Sequence, residues 1–106
     1  MVAIALAESS GNNRAQGDAL SSFPADQQTR YAPYDCGGYL SFGLWQIFQG
    51  VHFGKLSNLT GSQDPCVWRD YLFRPEGNVW VAKWFCMVIH LMLPINMRFN
   101  VPRKMG

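Results

Sequence analysis

The clearest pattern in the chain is an apolar run from Val79 to Leu93, broken only by Lys83 and His90. Arg74-Pro75-Glu76-Gly77-Asn78 precedes it. Proline suits the first helical position, and a carboxylate in the first turn complements the positive end of the helix dipole. The pattern predicts a helix that starts at Pro75 and ends before Pro94. A helix apolar on nearly every face is buried in protein or in lipid. The run falls short of the roughly 20 residues that a bilayer span requires. The expectation is therefore a buried central helix, with Lys83 and His90, seven residues apart, on one solvent-facing side.

Residues 2–8 are strong helix formers, and Ser9-Ser10-Gly11 supplies a helix end with glycine available for a left-handed turn. Residues 14–38 are polar, rich in Gly, Pro, Ser and Asp, and show no clear period, which predicts a long loop. From Gly37 to Phe48, glycines alternate with aromatic and aliphatic residues. Short strands and a tight turn into a helical turn both fit. Residues 49–66 read as loop, punctuated by Gly50, Gly54, Gly61 and Pro65. No internal repeat is visible.

With 106 residues the chain holds one domain. Hydrophobic residues at 48% and charged residues at 15% exclude intrinsic disorder. A net charge of +2 excludes an electrostatically driven nucleic-acid binder. Cys36, Cys66 and Cys86 lie 30 and 20 residues apart, with no C-x-x-C pair and no histidine at zinc-knuckle spacing. That excludes a metal site by spacing and allows at most one disulfide; three half-buried thiols are the plain reading. The first seven residues lack the basic start of a secretory signal. The tail from Arg98 to Gly106 carries three cations and no acid, and reads as a solvated or partner-bound end.

Two glutamates are present. Glu76 serves a helix start. Glu8 sits at the C-terminal end of an apolar segment, where the dipole disfavours negative charge and Ile4, Ala5 and Leu6 desolvate it. Both effects raise a carboxyl pKa. A carboxylic acid held protonated is what general-acid cleavage of a glycosidic bond needs. The alternative is an ordinary surface glutamate.

Three blocks then carry a resemblance. Ala5-Leu6-Ala7-Glu8-Ser9-Ser10-Gly11-Asn12 looks like the Glu-Ser signature of lytic transglycosylases and goose-type lysozymes. Ser41-Phe42-Gly43-Leu44-Trp45-Gln46-Ile47 resembles the family's second motif, G-L-x-Q-I. Residues 74–85, with Asn78 and Ala82 four apart, are similar to its third. Order and approximate spacing agree across residues 2–85. Asn13 stands where the family commonly has proline, and no Ala-Tyr-Asn-like motif follows the third block.

The resemblance implies an α+β, mainly helical, lysozyme-like fold with a glycan-binding cleft, incomplete at both ends, over residues 1–93, followed by a basic tail at 94–106. It implies Glu8 as general acid and then base, cleaving the β-1,4 bond between N-acetylmuramic acid and N-acetylglucosamine of peptidoglycan and leaving 1,6-anhydromuramic ends. Ser9, Ser41, Gly43, Gln46 and Tyr39 would border or bind the sugar, and Asn78 would support the motif from the third helix. Gly43 would let the backbone pass close to substrate. Trp45, Tyr39 and Phe42 could stack on sugar faces, with core packing the plainer role for Trp45 and Phe42. One glutamate suffices for a lyase, whereas a hydrolase needs a second acid. Asp18, Asp26 and Asp35 are the candidates for it. No cofactor and no metal are expected.

The implied partners are peptidoglycan strands and the proteins of a phage tail or secretion machine, not nucleic acid. The implied location is a virion or the bacterial envelope, with no transmembrane segment. Two rivals stand beside this reading. One is an inactive lysozyme-like structural module of a virion or secretion assembly. The other is a small membrane-active protein using residues 79–95.

Overall fold

The computed structural model describes residues 9–92, a mainly helical α+β globule. The expected helix at 2–8, Glu8 within it, and the tail at 94–106 lie outside the described residues. The chain leaves the first block through Ser10 and Gly11, both in the left-handed region at φ 56° and 77°. This is the glycine-assisted turn that the sequence predicts.

Strand β1 (Gln16–Ala19) leads into a 3-10 turn (Leu20–Ser22), a short helix α1 (Ala25–Tyr31) and a second 3-10 turn (Ala32–Tyr34). The expected long loop at 14–38 is thus largely structured. Its elements are each seven residues or fewer, too short to show a period, and α1 buries no residue. They are held instead by tertiary contacts. Phe23, Tyr31 and Phe48 form an aromatic cluster, with ring centroids 5.1–6.2 Å apart.

Strands β2 (Tyr39–Phe42) and β3 (Ile47–Phe48) resolve the open reading of 37–48 in favour of strands. The three strands form an antiparallel sheet in the order β1-β2-β3. Gly17 pairs with Ser41, and Phe42 pairs with Ile47. The four residues between β2 and β3 make a turn that begins at Gly43, at φ 84°.

Residues 49–66, read from sequence as loop, hold helix α2 (Gln49–Thr60) and the start of α3 (Pro65–Leu72). Two glycines hide α2. One of them, Gly50, is required by packing, because a Cβ there would fall under 3.0 Å from the Phe48 and Tyr31 rings. Gly61 ends α2 in the left-handed region, its N–H donating to Ser57 O at 2.8 Å. Asp64 caps α3 by accepting from Cys66 N at 2.9 Å, and Pro65 takes the first turn.

Helix α4 (Pro75–Met92) starts where the sequence places it. Its first half is buried through Gly77, Asn78, Val81 and Ala82. Its second half corrects the expectation of a buried central helix. Met87, Ile89, Leu91 and Met92 are exposed. Lys83 and His90 are exposed, as their spacing suggests. Among the described residues no helix is long and apolar enough to cross a membrane.

The core joins the sheet to all three longer helices through Phe42, Ile47, Leu56, Trp68, Leu72 and Val81. Phe42 meets Phe73 edge to face, with centroids 5.8 Å apart. A disulfide links Cys36, just before β2, to Cys66 in α3. That corrects the reading of three free thiols: the fold brings two residues of separation 30 to a Cα distance of 5.0 Å. Cys86 is free and exposed on α4.

Candidate functional site

The β2–β3 turn is the meeting point of the sequence motifs. Asn78, fully buried in the first turns of α4, makes three hydrogen bonds there. Its Nδ2 donates to Phe42 O at 2.8 Å and to Leu72 O at 2.9 Å. Its Oδ1 accepts from Trp45 N at 2.9 Å. The side chain therefore ties the third block to the second and to the end of α3. Two of these bonds span 33 and 36 residues and are not local helix-start contacts.

Gly43 is set by the same clamp. A Cβ at this position would lie well under 3.0 Å from Asn78 Nδ2 and from the Leu72 carbonyl, a backbone atom that cannot swing away. Its left-handed φ adds a second reason for glycine. The close approach that requires glycine here is made by α3 and α4.

Gln46 closes the turn in the left-handed region, at φ 48°. Non-glycine residues pay for that conformation, and such positions concentrate at functional sites. Its Nε2 donates to Ala15 O and Gly43 O, each at 3.1 Å. Gly43 N also donates to Ala15 O, at 2.9 Å. The chain leaving the first block is thus stitched to the second. Asn13 extends the stitch by donating to Phe73 O at 3.4 Å. Ser9, next to Glu8 in sequence, is buried.

The remaining expected residues divide. Ser41 is fully buried, and its hydroxyl donates to the Asp18 carboxylate. A hydroxyl with no exposure does not touch a ligand directly, and its partner is the Asp18 carboxylate. Tyr39 is exposed at the start of β2. Phe42 is core, as its plainer role has it, while Trp45 is half-buried against the core.

The three candidate second acids also separate. Asp26 lies in the first turn of α1, where a carboxylate complements the dipole. Asp35 accepts from Gly38 N at 3.0 Å in the turn before β2. Asp18 alone stands on the sheet beside the second motif. It is exposed and in the left-handed region, at φ 54°.

A cleft of about 250 Å³ opens beside the turn, lined by Trp45, Gln46, Ile47, Phe48, His52, Ala82, Phe85 and Cys86. Its wall is largely apolar, with Gln46 and His52 as polar groups, the composition of a small-ligand site. His52 is the residue that sequence reading misses, because α2 itself is not legible there. It lies edge-on to Phe85 at 4.4 Å, and burial lowers its pKa from the ordinary value. Its neutral form is favoured. Among the described residues no group of three His, Cys, Asp or Glu is placed to hold a metal ion.

No protein-family model, no curated protein and no solved structure matches the chain.

Proposed function

We propose that the protein cleaves the glycan strands of peptidoglycan, with Glu8 as the general acid and then the base. One observation carries this reading. The second and third motif blocks and the exit from the first converge on a single turn, joined by Asn78, Gln46 and Ala15 O. The contacts among Ala15, the 43–46 turn and Asn78 support reading these blocks as parts of one site.

In this reading the fold is lysozyme-like, and the cleft beside Gln46 receives sugar. Gln46 and Ser9 border the acid, Tyr39 offers an exposed ring to a sugar face, and Gly43 and Asn78 hold the turn rigid. Ser41 fixes the Asp18 carboxylate. A lyase needs Glu8 alone, with the substrate's N-acetyl group assisting departure of the leaving sugar and the muramic 6-hydroxyl closing the anhydro ring. A hydrolase needs a second acid to activate water, and Asp18 is the candidate for it. No cofactor or metal enters either chemistry.

A disulfide persists in oxidising surroundings, so Cys36–Cys66 agrees with work in the envelope or on a virion, with phage-tail or secretion-machine proteins as carriers. Release of soluble muropeptides from purified sacculi tests the reading. Wild type should release them, Glu8→Gln should not, and Gln46→Ala should be slowed. Equal release by wild type and Glu8→Gln would overturn it. Loss of release in Asp18→Asn would assign the hydrolase, and unchanged release the lyase.

The inactive structural module is the second reading, favoured by the exposed apolar end of α4. A folded wild type that binds but never cleaves sacculi would select it.

A further inference from the structure

Helix α4 changes character along its length. Trp80, Trp84, Met87 and Leu91 follow one another at spacings of four, three and four, which aligns them in one stripe. Trp80 is 46% exposed, Met87 54% and Leu91 57%. Ile89 at 44% and Met92 at 77% are exposed off the stripe, Ile89 on the opposite side of the helix. Trp80, Lys83, Trp84 and Met87 line a groove of about 270 Å³ along the stripe.

Beyond Glu76 the charges of the sequence have one sign. All seven carboxylates of the chain lie at or before Glu76. Residues 77–106 carry four cations, Lys83, Arg98, Arg103 and Lys104, and no acid. Residues 1–76 carry five cations against the seven acids. The chain is thus weakly acidic over the motif-bearing body and strictly basic beyond it. Lys55 from α2 adds a further cation, its Nζ 4.6 Å from the Trp80 ring centroid and 4.9 Å from that of Trp84. Amphipathic indole rings with lysines beside them sit at the headgroup level of a bilayer. Clustered cations without acids are attracted to anionic lipid.

We propose that the second half of α4 docks on an anionic lipid surface. Met87 and Leu91 enter the boundary between headgroups and acyl chains, Trp80 and Trp84 lie at the interface, and Lys55 and Lys83 meet lipid phosphate. The helix lies in the interface and does not span, in keeping with its 18 residues. Charge complementarity favours lipid over a second copy of the chain, since two such surfaces facing each other would place cation against cation. The inference stands independently of the glycan reading: it uses the face of α4 opposite Asn78 and requires no catalysis.

Flotation with vesicles tests it, one set of phosphatidylcholine alone and one mixed with phosphatidylglycerol. Wild type should float with the mixed vesicles, with tryptophan emission shifted to the blue, and should bind phosphatidylcholine about tenfold less well. Raising the salt to about 0.5 M should release it, because salt screens surface charge. The pair Met87→Asp/Leu91→Asp should lose binding by about tenfold or more. Both positions are exposed, so that variant should keep the wild-type circular dichroism spectrum and melting curve. Equal binding to the two vesicle types, or equal binding by wild type and variant, would overturn the proposal. So would a wild-type dimer that the same pair of substitutions dissociates while neither protein floats, which would assign the surface to self-association.

Discussion

The two halves of α4 meet opposite fates, and it is the more polar half that is buried. Gly77, Asn78, Val81 and Ala82 disappear beneath the sheet and the other helices. Met87, Ile89, Leu91 and Met92 stay in contact with solvent. The difference lies in what the helix passes. Its first half crosses the β2–β3 turn and the end of α3, where Asn78 finds two carbonyls and an N–H. Its second half carries Phe85 against His52 of α2 and then the exposed residues from Met87 on. Hydrophobicity states that a helix needs cover. It does not state what covers it.

Substitution at Asn78 sharpens the comparison most. Asn78→Ala removes three buried hydrogen bonds at once and leaves Phe42 O, Leu72 O and Trp45 N without that partner. Each buried group left unpaired costs about 1–3 kcal/mol. The expected loss is about 4 kcal/mol in a urea melt, a large share of a small domain's stability. A loss under about 1 kcal/mol would break the account of the clamp.

The disulfide comes next. It joins the start of the sheet to α3 and closes a loop of separation 30. The Cys36→Ser/Cys66→Ser pair should lose about 3–4 kcal/mol by the loop-closure relation. Under reducing conditions wild type should fall to the same midpoint. A reductant-insensitive melt would remove the disulfide from the account.

His52 marks the edge of the covered region, and acid should report on it. Burial lowers its pKa, so the unfolded chain binds a proton that the folded chain resists. That contribution is fully present above the ordinary value of 6.5 and is lost as pH falls below it. From this residue the slope cannot exceed about 1.4 kcal/mol per pH unit. Urea midpoints at pH 7.5, 6.5 and 5.5 should fall in that order, and His52→Leu should flatten the series. An unchanged series in the variant would place the acid sensitivity elsewhere.

The smallest effect belongs to the exposed half. Met87→Asp alone should shift stability by no more than about 0.5 kcal/mol, as surface substitutions do. A loss of several kcal/mol would show that the helix end is packed after all and would end the contrast.

Legibility in the sequence follows the same division. Helix α4 is legible because Pro75, Glu76 and the apolar run agree. The 37–48 segment is half legible, since its glycines and aromatic residues allow strands or a helical turn and only pairing with β1 decides. Helix α2 is not, because Gly50 serves tertiary packing and breaks the local signal. Strand β1 and α1 are too short to carry a period, and an odd cysteine count conceals which two will meet. The motif residues Gly43, Gln46 and Asn78 are legible as a group, but their bonds are not. Only the fold reveals that Asn78 fixes Gly43, that Ser41 holds Asp18, and that His52 lines the cleft.

The central claim is that the motif-bearing body cleaves glycan through Glu8. Mass spectrometry of purified peptidoglycan after incubation with wild type and with Glu8→Gln tests it most directly. The account predicts new muropeptide ends from wild type, 1,6-anhydro if the protein is a lyase and reducing if Asp18 activates water, and none from the variant. Unaltered glycan from a folded wild type, or the same ends from both proteins, would contradict it.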